Sequence, residues 1–283
     1  KPRSTFMSYD NRTDAVASLY ENSKHYMLLN GVWKFFYVDA FKDLPDNVTS
    51  TDIDLSQWKD IKVPGNWEVQ GFGTAIYTNH GYEFKAKNPT PPLLPDETPV
   101  GVYRREIDIP EEWFDRDLYL HIGGAKSGVY TYINGQEVGY SEDSKNPAEF
   151  LINDFVKPGK NTLVLKIYRW STGSYLECQD FFRINGIERD VFIWSQPKVA
   201  VRDFNVVSTL DETYKNGVFD LSIDIRNHKD TKQNTQVSFE LIDQHGAQIL
   251  ASDKKIDIAS NNSEIVNFRG DIKDVLTWTS EQP

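Results

Sequence analysis

Apolar and polar positions alternate with a period of two over many short runs of this 283-residue chain. In the run 162–168, Leu163, Leu165 and Ile167 share one face, which predicts a half-buried β-strand. The other predicted strands are 31–38, 105–109, 117–122, 129–133, 136–140, 148–156, 191–194, 199–204, 218–226, 237–241, 249–255 and 264–268. One short helix is predicted at 14–20. We therefore expect an all-β fold without the strand-helix repeats of an α/β barrel.

Two dipeptides mark turns between these strands. Asn134–Gly135 joins two alternating runs, and this pair suits the two positive-φ positions of a type I′ hairpin turn. Pro158–Gly159 predicts a second turn, directly before the 162–168 strand. Both turns therefore place neighbouring strands antiparallel.

Two long stretches lack any period. Residues 71–99 carry three glycines and five prolines, a density that breaks regular elements. In 168–190, aromatic, acidic and basic residues follow one another irregularly. Loops of this length inside a compact domain are usually functional. We expect function to reside in these two loops.

The composition changes near residue 198, where aromatic residues thin out and short polar-apolar strands begin. Residues 195–198 are interpreted as a hinge. We predict one domain at 1–198 and a second at 199–283. Several short strands separated by turns over about 80 residues indicate an immunoglobulin-like sandwich in the second domain.

The charge excludes some classes of function. With 31 basic and 42 acidic residues the net charge is -11, which argues against nucleic acid as a partner. No apolar run is long enough to span a membrane. The single cysteine, Cys178, permits no internal disulfide, and the five histidines lack zinc-site spacing. The localisation stays open, since a bacterial cytoplasm and a periplasm are both compatible with these features.

Five segments together resemble a known family: Val63–Trp67, Ile76–Asn79, Gly124–Tyr140, Arg169–Asp180 and Asn185–Asp190. They are similar to the N-terminal region of the β-galactosidases of glycoside hydrolase family 2. The similarity extends over nearly the whole chain. It implies a jelly-roll β-sandwich that binds sugar, followed by the immunoglobulin-like β-sandwich.

In that family a (β/α)8 barrel with both catalytic glutamates comes third. The resemblance implies that this chain holds no catalytic residue and is inactive alone. Its partners would be its own C-terminal barrel and a β-galactoside, and the parent enzyme would be a retaining, homo-oligomeric hydrolase of terminal non-reducing β-D-galactose.

The resemblance also assigns roles to Asn79 and Asp180, which would reach into the barrel's active site and bind substrate. Asp180 would contact the galactose 6-hydroxyl and a monovalent cation, Na⁺ or K⁺, with Mg²⁺ as a further ion of the parent. No cofactor is expected in this chain itself. Carboxylate and amide oxygens suit sugar hydroxyls and such cations. Cys178 and Thr172 depart from the acidic residues common in the family, so ligation through those positions is not expected.

Structural alternatives stand beside these roles. Asp180 would cap loop N–H groups, and Asn79 would form an Asx turn before His80. Glu177 is predicted to form a structural ion pair with Arg183 or Arg189. Trp170 is expected in the core, and Cys178 is expected to be inert.

Two rival functions remain open for this chain. One is a free-standing carbohydrate-binding module with an exposed aromatic platform, and the other is a structural spacer between subunits. Saturable binding of galactose by the isolated chain would favour the module.

Overall fold

The computed structural model describes residues 3–84, 89–177 and 179–281. Contacts divide them into a first unit, 8–196, and a second unit, 3–7 with 197–281. Residues 3–7 join the second unit because the Ser4 amide and hydroxyl donate to Asp203 Oδ1 and the Phe204 carbonyl, each at 2.9 Å. The Phe6 ring packs 5.6 Å from that of Phe204. The predicted domains, 1–198 and 199–283, assign this segment to the first domain instead.

The first unit consists of strands joined by turns and loops. Its strands are β1 (Tyr26–Leu28), β2 (Gly31–Val38), β3 (Lys59–Val63), β4 (Gly65–Asn66), β5 (Ile76–Thr78), β6 (Val100–Ile109), β7 (Asp117–Ile122), β8 (Ala125–Lys126), β9 (Gly128–Ile133), β10 (Gln136–Ser141), β11 (Ala148–Leu151), β12 (Gly159–Tyr168), β13 (Phe181–Arg183), β14 (Gly186–Ile187) and β15 (Val191–Gln196). The predicted strand at 148–156 thus ends at Leu151.

Two antiparallel sheets form the body of the first unit. One has the strand order β10-β9-β12-β6-β2-β3 and the other β1-β15-β7-β11. Their apolar faces share one core, in which Trp33 and Leu165 of the larger sheet are buried with Leu118, Leu120 and Ile193 of the smaller one. The unit is therefore a β-sandwich.

The outer face of the larger sheet is covered by the connection between β2 and β3. Val48 and Trp58 of this connection pack on Val100, Val102 and Val164. This second layer explains why β6 and β12 are buried on both faces along part of their length.

Helical structure is limited to short pieces. The helix α1 (Arg12–Ala17) begins after Asn11, whose side chain accepts a bond from the Asp14 N–H, and ends at Ser18 with φ 55°. It is shorter than predicted because Ser18 turns left-handed. The described 3-10 turns are Tyr20–Asn22, Phe41–Asp43, Glu68–Gln70, Glu111–Trp113 and Thr172–Tyr175. In the described part of the chain, no helix has the length and apolar character to cross a membrane.

The predicted hairpin at Asn134–Gly135 is confirmed. The two residues have φ values of 52° and 81° and join β9 to β10. The positive φ at both central positions is the feature that defines this turn.

The second unit is also all-β. Its strands are β16 (Val199–Leu210), β17 (Gly217–Asn227), β18 (Gln233–Ile242), β19 (Gln248–Ile258) and β20 (Asn262–Ile272), arranged as the sheets β16-β17-β20 and β18-β19. Phe219, Leu221, Ile223 and Ile225 alternate along β17 and bury one face against Val237 of β18. The all-β prediction is confirmed for both units.

Two small sheets lie in the first unit between and beside the long loops. β13 pairs with β5, and β14 pairs with both β4 and β8. The sequence predicted no regular element at 71–99 or after Trp170, and this is wrong for β5 and β13. Both are three-residue strands of β-branched, aromatic and basic residues, too short to display a period.

Candidate functional site

The small sheet of β5 and β13 brings the two predicted site residues together. Its antiparallel register pairs Thr78 with Phe181 and Tyr77 with Phe182. Asn79 directly follows β5 and Asp180 directly precedes β13, so the two residues flank the last pair of the ladder. Residues that lie 101 positions apart in the sequence are thus found at the same end of one small sheet.

Two exposed aromatic side chains share one face of this sheet, since Tyr77 and Phe182 are directly paired across the two strands. Tyr77 and Phe182 are 59% and 62% exposed, and their ring centroids lie 5.4 Å apart. The Tyr77 hydroxyl donates a 2.8 Å hydrogen bond to Asp180 Oδ1. We call Tyr77, Asn79, Asp180 and Phe182 the platform.

The platform combines the groups that recognise a sugar. Exposed aromatic rings offer an apolar face for C–H groups, and the carboxylate and amide offer hydrogen-bond partners for hydroxyls. The bond to Asp180 raises the pKa of Tyr77. This bond uses Asp180 Oδ1, and among the described residues no side chain or backbone N–H donates to Oδ2.

The segment after β5 is held by local hydrogen bonds. The Thr78 hydroxyl donates to the His80 carbonyl at 2.7 Å, and His80 Nδ1 lies 2.8 Å from Asn79 Oδ1. Asn79 is exposed, as is Asp180. The Asn79 amide nitrogen can therefore donate to a ligand while the carbonyl oxygen contacts the histidine.

The other face of the small sheet lies over buried charges. Lys126 Nζ is 3.5 Å from Glu83 Oε1, and Arg169 Nε is 3.7 Å from Glu83 Oε2. Arg169 also approaches Glu68 Oε1 at 3.7 Å. Arg183 of β13 is buried and donates to the Glu177 carbonyl at 2.7 Å. Three cations and two carboxylates thus meet beneath the loops, in a region where water screens charge weakly.

Burial shifts the pKa of two members of this group away from the charged form. It raises the pKa of Glu68, against opposing hydrogen bonds from backbone N–H groups and the charge of Arg169. It lowers the pKa of Lys126, against the opposing charge of Glu83. Desolvation is the larger effect at both residues, as expected for ionisable groups removed from water.

The loop after β12 is fixed by an acidic side chain from β10's end. Thr172 Oγ1 and the Gly173 N–H donate to the Glu142 carboxylate at 2.6 and 3.1 Å. Burial acts to raise the pKa of Glu142, but these hydrogen bonds lower it further than burial raises it. Thr172, where the family pattern often has an acidic residue, therefore acts as a donor within this loop.

Two further predictions concern this loop. The predicted ion pair of Glu177 is wrong, because Arg183 bonds its backbone carbonyl and the Glu177 carboxylate accepts from the Ser144 N–H at 2.9 Å. Trp170 is only partly buried, with its ring 5.6 Å from that of Phe84.

Cys178 lies outside the described residues. Among residues 3–84, 89–177 and 179–281, no group of three His, Cys, Asp or Glu could hold a metal ion. A cation at Asp180 stays a prediction.

A cavity of about 560 Å³ lies elsewhere in the first unit, between the hairpin and the turn before β12. Asn134 and Asn161 line this cavity, and their side-chain amides donate to backbone carbonyls, for example Asn134 Nδ2 to the Phe155 carbonyl at 3.0 Å. Neither Asn79 nor Asp180 lines it. The platform therefore remains the better-supported site.

Sequence reasoning missed Tyr77, Phe182 and Lys126. Tyr77 and Phe182 could have been recognised because each is an aromatic residue two positions from a proposed ligand residue, in a short segment rich in strand-forming residues. Lys126 carried no signal, since lysine is almost never fully buried and the run around it reads as a turn.

Comparisons with known proteins cover both units. The family model described as glycosyl hydrolases family 2, sugar binding domain, matches residues 26–197, and the model described as glycosyl hydrolases family 2 matches residues 199–283. A beta-galactosidase from Priestia megaterium is 35% identical over 288 residues, which is 100% of this chain and 28% of that protein. A beta-galactosidase from Psychromonas ingrahamii is 40% identical over 195 residues, which is 69% of this chain and 19% of that protein.

A solved structure supports the fold. The beta-glucuronidase of Bacteroides uniformis matches with a TM-score of 0.72 at 19% identity, covering 91% of this chain and 29% of that one. At this identity the likeness concerns the fold alone, and it agrees with the two predicted sandwiches. The chain spans 25–28% of the length of the first three curated relatives.

Proposed function

The chain belongs to glycosyl hydrolase family 2, and on this premise we propose that it is the non-catalytic N-terminal part of a retaining β-galactosidase. The parent enzyme hydrolyses terminal non-reducing β-D-galactose. The relatives at 35–40% identity are named beta-galactosidases, and this chain corresponds to 19–28% of their length. The two catalytic glutamates belong to a (β/α)8 barrel elsewhere in the parent. A retaining glycosidase needs two carboxyl groups about 5 Å apart, and both would lie in that barrel, so the 283 residues alone do not hydrolyse galactosides.

The platform forms one wall of the galactose pocket. The observation that supports this proposal is the pairing of β5 with β13, because Asn79 and Asp180 flank the same end of this small sheet beside two exposed aromatic rings. Asp180 accepts from the galactose 6-hydroxyl and ligates Na⁺ or K⁺ through the oxygen that Tyr77 leaves unused. Asn79 binds a second sugar hydroxyl. The full-length parent enzyme also binds Mg²⁺ and forms a homo-oligomer.

The test uses the full-length parent and its Asp180→Asn variant. Asparagine keeps the shape of the side chain but loses the charge. We expect kcat/KM for an aryl β-galactoside to fall about ten- to a hundredfold, which is the range for losing a hydrogen bond to a charged group. Activation by Na⁺, measured against choline, should need a higher concentration of Na⁺ in the variant.

The matched control is Asp154→Asn, an exposed aspartate in another loop of the first unit. It should leave both quantities unchanged. Equal kinetics for the two variants would exclude Asp180 from the site. A parent without activity on any β-galactoside would refute the proposed substrate.

A second candidate function follows from the exposed rings of Tyr77 and Phe182. A free-standing carbohydrate-binding module would use them as its platform. Calorimetric titration of the isolated chain with galactose and with glucose distinguishes the two functions. Saturable binding would support the module, whereas no binding is expected for one wall of a larger pocket.

A further inference from the structure

We infer that Lys126 is a positioning residue for the substrate site, holding both halves of the platform from beneath. The inference rests on the proposed function of the platform. It assigns a role in substrate binding to a buried cation that does not touch the substrate.

Lys126 lies at the end of β8 and is 2% exposed. Its ammonium is 3.5 Å from Glu83 Oε1 and 5.2 Å from the ring centroid of Phe181. Glu83 follows Asn79 by four residues on the first loop, and Phe181 directly follows Asp180 on the second. One cation therefore contacts the chain next to each proposed ligand residue.

The two contacts differ from those of the neighbouring cations. Lys145 also lies over Phe181, at 5.3 Å, but its ammonium binds both oxygens of Glu188 at 2.7 Å. Arg183 lies over the same ring from within β13 itself. Lys126 combines the ring contact with an ion pair to the first loop, so it couples the two loops to the β8 scaffold.

The ion pair between Lys126 and Glu83 fixes the position of the first loop as well as contributing to stability. Without Lys126, the buried Glu83 carboxylate keeps Arg169, 3.7 Å from its Oε2, but one oxygen loses its cation in a medium that solvates it poorly, so the carboxylate moves toward Arg169 or water. Such a movement would displace the segment of Glu83 and Asn79. The rings of Tyr82 and Phe84 still pack against Tyr175 at 5.0 and 5.2 Å, so the segment would shift without detaching.

The experiment compares Lys126→Met and Glu83→Gln in the full-length parent. Methionine keeps the length of the side chain, and glutamine keeps the size of the carboxylate. We expect KM for an aryl β-galactoside to rise about five- to tenfold with a smaller change in kcat, since misplacement of a binding group costs affinity. The double variant should raise KM by less than the product of the two single increases, because both changes remove the pair between Lys126 and Glu83.

Lys145→Met is the matched control, since it removes a cation from the same ring without breaking the link to Glu83. It should leave KM unchanged. Lower thermal stability of Lys126→Met with KM equal to the wild type would overturn the inference, and so would equal effects of Lys126→Met and Lys145→Met. If Lys126→Met does not fold, Glu83→Gln decides the question by the same two quantities.

Amide hydrogen exchange of β5 and β13 in the same proteins provides a readout that does not depend on the sugar. Exchange should be faster in Lys126→Met and in Glu83→Gln than in Lys145→Met. If the wild-type parent fails to hydrolyse galactosides, the proposed function fails, whereas the exchange data still decide whether Lys126 holds the two strands. Unchanged exchange in both variants would overturn the positioning role by itself.

Discussion

The two units bury different kinds of side chain. In the first unit the ends of strands and the long loops enclose Lys126, Arg169 and Arg183. In the described part of the second unit the buried side chains are apolar apart from Asn227. Along β17, buried and partly buried positions alternate over its full length. One unit thus follows the simple pattern of a half-buried sheet, and the other departs from it near its loops.

The difference indicates which unit can hold a functional site. In a strand that alternates strictly, one face packs in the core and the other contacts solvent. Burial of charge costs free energy unless partners are present, so a cluster such as Glu68, Glu83 and Arg169 indicates that these loops are held in one arrangement. The platform lies on the small sheet above this cluster. The regular second unit contains no comparable group among its described residues.

The largest effect is expected from Arg169→Met. Arg169 contacts Glu68 and Glu83 and donates to the Thr74 carbonyl at 3.0 Å. Its removal leaves buried carboxylates without this cation, so the free energy of unfolding of the first unit should fall by about 3–5 kcal/mol. Tryptophan fluorescence during urea unfolding reports on this unit, because six of the seven tryptophans lie within 8–196.

The control for this variant is Arg189→Met, at an exposed arginine between β14 and β15. It should change the free energy of unfolding by less than about 0.5 kcal/mol. Similar losses for the two variants would mean that the buried charges do not distinguish the first unit from the second.

Much of the fold could be predicted from residues that alternate. β17 has a strict period, Leu163, Leu165 and Ile167 alternate along β12, and the Asn134–Gly135 turn specifies the geometry of its own hairpin. The resemblance to glycoside hydrolase family 2 is confirmed by the family models for both units. These features are local or are carried by motifs, so the sequence alone is sufficient to recognise them.

The candidate site could be predicted only in part. The resemblance predicted roles for Asn79 and Asp180, but not that the two residues flank the same end of one small sheet. β5 and β13 are three residues each, and their pairing depends on contacts between distant segments. The burial of Lys126 likewise depends on Glu83, which lies more than 40 residues away in the sequence. Periodicity describes a single strand and cannot report such pairings.

A smaller effect is expected from Asn227→Ala in the second unit. The Asn227 amide donates to the carbonyls of Thr231, Ile258 and Ala259 at 3.0, 3.3 and 2.9 Å. Alanine would leave these acceptors without their donor, so the free energy of unfolding of this unit should fall by about 1–3 kcal/mol. Amide hydrogen exchange of β17 measures the loss.

In Asn227→Ala the tryptophan-detected unfolding of the first unit should stay as in the wild type. The exposed Asn234, which bonds Asp257 on the neighbouring strand, provides the matched control as Asn234→Ala. If the amides of β17 exchange as slowly in Asn227→Ala as in Asn234→Ala, the buried Asn227 amide contributes nothing to the stability of the second unit.

The smallest effect concerns pH and sharpens the contrast at Glu68. Burial raises the pKa of Glu68 above 4.5, its value in the unfolded chain. Between pH 4.5 and the raised pKa the folded state keeps a proton that the unfolded state has released, so the contribution of Glu68 to stability is full below pH 4.5 and declines as the pH rises through this window.

Glu68→Gln removes this decline. The free energy of unfolding of the variant minus that of the wild type should therefore increase with pH, measured by urea unfolding from pH 4.5 upward. A constant difference over this range would show that the Glu68 carboxylate is solvated, and the buried cluster would then lose one of its two acidic members.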